Sequence, residues 1–275
     1  MSYTVFALKW RPNRFEDIVG QDHVVLTLKN AIQKDKLAHA YLFAGPRGVG
    51  KTSTARILAK SLNCKDGPTA TPCQQCPSCV QISQGRSLDV IEIDGASNTG
   101  IDNIRDLRES IKFSPASGKF KIYIIDEVHM LSDSAFNALL KTLEEPPPYV
   151  KFVFATTHPH EIIPTVLSRC QRLDFRRIPV VEIIAQLERI AREEQIKADK
   201  EVLVAIAQAS DGALRDAESL LDQLASFSKG VISLKDVISV LGVIEQEALF
   251  EITEKIIQKD TPGALALFNK VIEEG

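Results

Sequence analysis

Residues 40–52 read AYLFAGPRGVGKT, and a helical run from Ser53 to Leu62 follows directly. The apolar segment AYLFA predicts a strand. GPRGVGKT is the full G-x-x-x-x-G-K-[ST] pattern, set between strand and helix as that pattern requires. Gly45, Gly48 and Gly50 let the backbone turn tightly, so that successive N–H groups face inward, and the helix N-terminus adds positive potential for phosphate oxygens. Lys51 is expected to reach the β and γ phosphates of a nucleotide, and Thr52 to supply an oxygen to Mg²⁺. Pro46, Arg47, Val49 and Ser53 complete the loop and are expected to line the same cradle.

Outward from this loop, short apolar runs alternate with helical patterns. LDVIEID (88–94), FKIYIID (120–126), VKFVFATT (150–157) and QRLDF (171–175) join AYLFA as candidate strands. That alternation predicts an α/β fold with a mostly parallel sheet. Val24, Val25, Leu28, Ala31 and Ile32 recur at helical spacing, as do Phe136, Leu139, Leu140 and Leu143, and both stripes read as core. The run IYIIDEVH ends a strand at Asp126 and Glu127, where P-loop ATPases hold the metal and the attacking water: Asp126 binds Mg²⁺, and Glu127 orients and deprotonates the water. VKFVFATT finishes in Thr156 and Thr157, which a parallel sheet brings out beside Asp126. Either hydroxyl is placed to touch a γ-phosphate or the water, with Thr157 the catalytic candidate.

From Pro179 onward the strand signal disappears. Helical periodicity runs through Val180–Glu194, Glu201–Ala209, Ala213–Ser226 and Leu234–Leu241, then Glu245–Gln258 and Pro262–Glu274. The expected division is an α/β domain over 1–178, a small helical domain over 179–242, and the beginning of a third helical domain over 243–275. The 275 residues are 44% hydrophobic and 25% charged, a mix that fits two or three domains with a real core. No apolar run approaches a membrane span and no signal-peptide pattern opens the chain, so no membrane contact is expected, and the cytoplasm is the expected location. A net charge of −3 excludes a broad basic field, leaving only local contact with nucleic acid.

Cys64, Cys73, Cys76 and Cys79 are spaced C-x8-C-x2-C-x2-C in a segment rich in Pro, Asp, Gly and Ser. Thiols this close, in a reducing compartment, favour a metal site, and four thiolates can close a tetrahedron around zinc. An iron–sulfur cluster uses the same ligands and stays open on residue type alone. The segment has too few large apolar residues for a core of its own, so metal binding would supply the missing folding free energy.

Together, KWRPNRFEDIVGQ (9–21), GPRGVGKT, DEVHML (126–131), NALLKTLEEPPP (137–148), ATTHPHEIIPTVLSRCQ (155–171) and GALRDAESLLDQL (212–224) resemble the AAA+ family, and within it the clamp-loader branch. The resemblance spans essentially the whole chain. It implies an AAA+ P-loop NTPase with a five-stranded parallel sheet, a zinc-binding insert at about 64–79, a helical lid and the start of a collar domain. The implied activity is ATP hydrolysis by a motor subunit that opens a sliding clamp and loads it on primer-template DNA within the DNA polymerase III holoenzyme. The implied partners are the clamp, the DNA backbone and other clamp-loader subunits in a hetero-oligomeric ring. Ser168, Arg169 and Cys170 match a Ser-Arg-Cys motif whose arginine acts in trans on a neighbour's ATP. Arg215 matches the sensor arginine of the lid, and Arg11, Pro12, Val19 and Gly20 match the segment lining the adenine pocket. In clamp loaders the helix after IDGASNTGIDNIRDL (93–107) tracks the duplex, making Asn98, Thr99 and Arg105 the candidate phosphate contacts. The resemblance supports zinc over iron–sulfur. Another AAA+ remodeller, such as a branch-migration or helicase motor, would not be expected to carry the cysteine insert. A non-hydrolysing loader subunit would typically lack the intact phosphate loop.

Overall fold

The structure, a computed structural model, describes residues 3–97, 107, 109–228, 230–241 and 246–274, leaving aside the side chains of 133, 241, 246–249 and 270–274. A short helix α1 (Phe6–Lys9) precedes α2 (Asp22–Gln33), β1 (Ala40–Ala44) and α3 (Lys51–Asn63). Then come α4 (Pro77–Ser83), β2 (Val90–Asp94), β3 (Lys121–Asp126), α5 (Asp133–Glu144) and β4 (Val150–Thr156). A one-turn helix α6 (Pro164–Leu167) leads into β5 (Gln171–Asp174).

The five strands form one parallel sheet in the order β2-β3-β4-β1-β5. Period-2 alternation sends Tyr41, Phe43, Ile122, Ile124, Val153 and Ala155 to one face, where they meet Leu28, Ile32, Ile57, Leu58 and Leu62 of α2 and α3. Leu42, Tyr123, Ile125, Phe152 and Phe154 point the other way, against Phe136, Leu139 and Leu143 of α5. Both faces are covered, so the strands read as continuous apolar runs rather than alternating ones. Because all five run parallel, the residues that follow β1, β3 and β4 emerge side by side at one edge, with Ala44 paired to Thr156.

The remaining chain is mostly helical: α7 (Val180–Glu193), α8 (Lys200–Ala209), α9 (Leu214–Phe227), α10 (Leu234–Leu241), α11 (Gln246–Ile257) and α12 (Thr261–Glu274). Ile183, Leu187, Ile190, Val202, Leu203, Ile206, Leu221 and Leu224 form a separate core shared by α7, α8 and α9. One sequence expectation needs correction here: strands do not end at Pro179. Lys197–Ala198 (β6) and Val231–Ile232 (β7) pair in parallel, and two residues each are too few to leave a period-2 signal.

The N-terminal segment is tied to this helical unit. Phe6 joins its core, the Trp10 indole donates to Glu194 at 2.9 Å, Lys9 pairs with the same carboxylate at 2.7 Å, and the Arg189 guanidinium lies over the Trp10 ring. Among the described residues, no helix is long and apolar enough to cross a membrane.

Candidate functional site: a phosphate loop between sheet and helical unit

The loop after β1 needs glycine at defined points. At Gly45 (φ 148°) a Cβ would lie 2.3 Å from the Phe175 carbonyl oxygen, so no side chain fits between the loop and the strand exit. Gly48 (φ 76°) sits in the left-handed region, and a Cβ there would press to 2.9 Å against Ala213 at the start of α9. The Gly48 carbonyl accepts from the Arg215 backbone N–H at 3.3 Å, so the loop is also where the α/β unit touches the helical unit.

Lys51 is 6% exposed, and its ammonium donates to the carbonyls of Gly45 (2.9 Å) and Pro46 (2.7 Å). Burial pulls its pKa down, while the nearby Glu127 and Asp126 carboxylates act against that shift. The Thr52 hydroxyl donates to Asp126 Oδ2 at 2.6 Å across the edge from β1 to β3. A hydroxyl and a carboxylate held this close form a hard oxygen pair that fits Mg²⁺, which here would neutralise phosphate charge.

Glu127 occupies the left-handed region (φ 44°), rare for a residue with a Cβ, and this turns its carboxylate back toward the end of β4. There Oε2 accepts from the Thr157 hydroxyl (2.9 Å) and backbone N–H (3.3 Å). The two threonines are separated by the pleat. Thr156 is fully buried and bonded to His129 Nδ1 at 3.0 Å, whereas Thr157 reaches Glu127. His129 also lies 3.4 Å from Glu127 Oε2. Sequence reasoning missed this histidine, although its place two residues after Glu127 was the available signal.

The cleft is lined by Arg11, Arg47, Gly48, Lys51, Thr52, Ser53, Asp126, Glu127 and Arg215. Its apolar continuation adds Pro12, Val19, Val49, Ile178, Leu214 and Glu218. Burial is the main cause lowering the Arg11 pKa, followed by repulsion from Arg56, with Arg215 contributing less. Among the described residues, neither the Arg11 nor the Arg215 guanidinium has a hydrogen bond or an ion pair, although Glu92 and Asp126 attract Arg11 from farther off. Arg47 has only a loose, exposed pair with Asp216 at 3.6 Å. Cations gathered around backbone N–H groups, with Asp126 and Glu127 in the same cleft, make a site for a polyanion and the metal cation that accompanies it.

Arg169 does not line this cleft. It follows α6, and its guanidinium donates to the Thr165 carbonyl (2.7 Å) and to Glu144 Oε1 at the end of α5 (2.7 Å). Cys170, beside it, is a half-buried thiol pushed up to about 12 by desolvation, so it is chemically quiet. Asn98, Thr99 and Arg105 lie outside the described residues.

The cysteine insert hangs from the far end of α3. The Sγ atoms of Cys64, Cys73, Cys76 and Cys79 all lie within 4.8 Å of one another, and the cluster has no apolar members besides these cysteines. Tetrahedral Zn–S bonds of about 2.3 Å put sulfurs about 3.8 Å apart, so the four residues fit zinc with a small contraction. The backbone N–H groups of Gln75 and Cys76 pull the Cys73 thiol down to about 6, whereas burial pushes the Cys79 thiol well above its ordinary value. Lys60, buried and unremarked in the sequence reading, donates to Asn13 and Gln74 and so joins α3, the N-terminal segment and the insert. We expect about one zinc per chain on elemental analysis, and a lower melting temperature after thiol modification and chelation. A metal-free chain with the same melting temperature would contradict zinc as the core of the insert.

Glu218 is a third residue, after His129 and Lys60, that sequence reading passed over. Burial pushes its carboxyl from 4.5 up to about 8. The folded chain therefore keeps a proton that the unfolded chain loses, and stability falls as pH rises from 4.5 towards about 8. Glu218→Gln removes that titration. Its melting temperature should track the parent's below pH 5 and exceed it by several degrees at pH 8. A difference that does not change with pH would contradict the buried acid.

The geometry can be set beside known proteins. A family model described as "DNA polymerase III, delta subunit" matches residues 20–179, and one described as "DNA polymerase III clamp loader subunit, ATPase lid domain" matches 182–230. The chain is 48% identical over its full length to DNA polymerase III subunit tau of Bacillus subtilis (strain 168), covering 49% of that protein. It is also 48% identical to subunit tau of Escherichia coli (strain K12), covering 43%. DNA polymerase III subunit gamma of Buchnera aphidicola subsp. Acyrthosiphon pisum is 44% identical, with 76% of it covered. The chain thus spans about half or less of the tau proteins. Among solved structures, the Thermotoga maritima RuvB Holliday junction branch migration motor superposes with a TM-score of 0.62 at 20% identity, over 90% of this chain and 79% of that one, a likeness of AAA+ fold.

Proposed function

Because the chain belongs to the gamma/tau family of bacterial DNA polymerase III subunits, clamp-loader AAA+ ATPases, we propose that it is an ATP-hydrolysing motor of the replicative clamp loader. ATP binding would draw the helical unit onto the phosphate loop and help open a sliding clamp. Hydrolysis, once the clamp encircles primer-template DNA, would release both. The observation that carries this reading is the set of cations, Lys51, Arg11 and Arg215, that converge on the loop beside Asp126 and Glu127, none of them tied up in an ion pair among the described residues.

Each residue then has a task in the cleft. Lys51 and the loop N–H groups hold the β and γ phosphates, and Thr52 and Asp126 hold Mg²⁺. Glu127 orients the attacking water and accepts its proton, with Thr157 fixing the carboxylate. Arg215 starts α9 and touches the loop through its own backbone N–H, so a γ-phosphate gripped by its guanidinium rewards the closed arrangement. Loss of that phosphate removes the reward, which is the differential contact a nucleotide switch requires. Arg169 serves the neighbouring subunit's nucleotide, and Asn98, Thr99 and Arg105 meet the DNA backbone. The partners are other loader subunits, the clamp and primed DNA.

The RuvB likeness is one of fold and does not favour branch migration, whereas the relatives at 48% identity are replicative subunits. A non-hydrolysing subunit is disfavoured by the intact GPRGVGKT loop. The test is ATP turnover by the chain alone and after assembly with loader subunits, clamp and primed DNA. We expect slow turnover alone and strong stimulation on assembly. Equal rates in both settings would reject the motor role.

A further inference from the structure

Helix α9 buries Ala217, Leu221 and Leu224 in the core of the helical unit, and Glu218 stands next to that stripe. The residue is only 5% exposed. Among the described residues, no hydrogen bond or ion pair reaches its carboxyl, and desolvation is the one influence acting on it. A buried carboxyl without a partner is costly, and replacing it with an apolar residue would remove the cost. Its surroundings offer another account. Glu218 lines the apolar end of the cleft with Pro12, Val19, Val49, Ile178 and Leu214, and this end runs into the phosphate loop through Arg11, Gly48 and Arg215. A nucleotide whose phosphates lie on Lys51 extends its flat base toward that end. Apolar walls suit the faces of such a base, and an unpaired polar group suits its edge.

We infer that Glu218 reads the base, accepting a hydrogen bond from the 6-amino group of adenine and donating one to the ring nitrogen beside it. The donor–acceptor pattern fits. A neutral carboxyl offers one O–H and one carbonyl oxygen, matching an edge that presents one N–H donor and one nitrogen acceptor. An ionised carboxylate has only acceptors and would set one of them against the ring nitrogen. Burial pushing the group up to about 8 keeps the neutral form in place at pH 7. The inference rests on the cleft being a nucleotide site and adds to that reading the residue that selects a 6-aminopurine.

The experiment compares ATP with purine riboside triphosphate, which lacks the amino group, in competition against a fluorescent ribose-labelled ATP. The parent chain is expected to prefer ATP by about tenfold, the size of a neutral hydrogen bond made in place of an unmet polar group. Glu218→Leu, which suits the apolar stripe and should fold, is expected to bring the two affinities within about twofold. Glu218→Gln retains one donor and one acceptor and is expected to preserve the preference. An absent preference in the parent, a preference surviving in Glu218→Leu, or one lost in Glu218→Gln would overturn the pairing. Lys51→Ala separates the two levels. If both triphosphates bind that variant as well as the parent, the nucleotide reading of the cleft has failed. If binding needs Lys51 and the ratio ignores Glu218, only this inference has failed.

Discussion

In an assembled complex, Arg169→Ala is expected to leave ATP binding near normal and to cut turnover by about 10³ to 10⁵-fold, the range for loss of an arginine finger. The Ser-Arg-Cys motif is what implies a role in trans, and the geometry of the chain is compatible with it. Arg169 lies outside its own phosphate cleft, beyond α6, and its side chain is one-third exposed. It is held by the Thr165 carbonyl and by Glu144, itself half-exposed. A pair of that kind contributes about 1 kcal/mol at most. It can orient the guanidinium in the free subunit and yield when a neighbour offers a phosphate, whose bidentate charge-assisted bonds are stronger. Mixing supplies the measurement: altered and normal subunits assembled in the productive order should recover turnover at the sites that face a normal Arg169. If no order of mixing restores activity, the residue does not act across a subunit boundary.

The contrast between Arg169 and Glu218 shows what sequence carries and what it withholds. The sheet was legible because its strands are buried on both faces and therefore appear as uninterrupted apolar runs, each followed by a helical pattern. Once those runs are taken as parallel, strand ends meet at one edge, so Lys51, Asp126 and Thr157 could be grouped without coordinates. Thr157 was already the catalytic candidate, but what each threonine touches needed the pleat. One faces His129 inside the sheet and the other faces Glu127, and a two-residue string does not say which. Glu218 was invisible for a related reason. On a helix, a glutamate beside an apolar stripe is ordinarily at the boundary with water, and only the docking of α9 over the phosphate loop turns that boundary into the wall of a cleft. The pairing of β6 with β7 joins segments far apart in the chain, which no two-residue pattern encodes. Cysteine spacing was informative because four thiols set this close in the chain can converge locally, whatever the surrounding fold does, and their sulfurs do so.

Lys51→Ala should weaken nucleotide binding by about 10 to 100-fold and turnover by about 10² to 10³-fold, with the fold intact. The three expectations have separate causes. Binding falls because the ammonium makes charge-assisted bonds to phosphate oxygens, which alanine removes while the loop N–H groups and the cleft arginines remain. Turnover falls further, since Lys51 is a preorganised cation aimed at the charge that develops on the γ-phosphoryl oxygens and the leaving oxygen. Stability holds because this lysine is a buried cation whose pKa burial lowers, with only the Gly45 and Pro46 carbonyls as hydrogen-bond acceptors. Removing it removes a desolvated charge, and the freed carbonyls border an open cleft where water reaches them. Circular dichroism melting, fluorescent nucleotide titration and phosphate release measure the three quantities independently. Unchanged nucleotide affinity in a folded Lys51→Ala chain would mean that the glycine turn after β1 holds no phosphate, and the roles assigned to Thr52, Asp126, Glu127 and Arg215 would lose their common ligand.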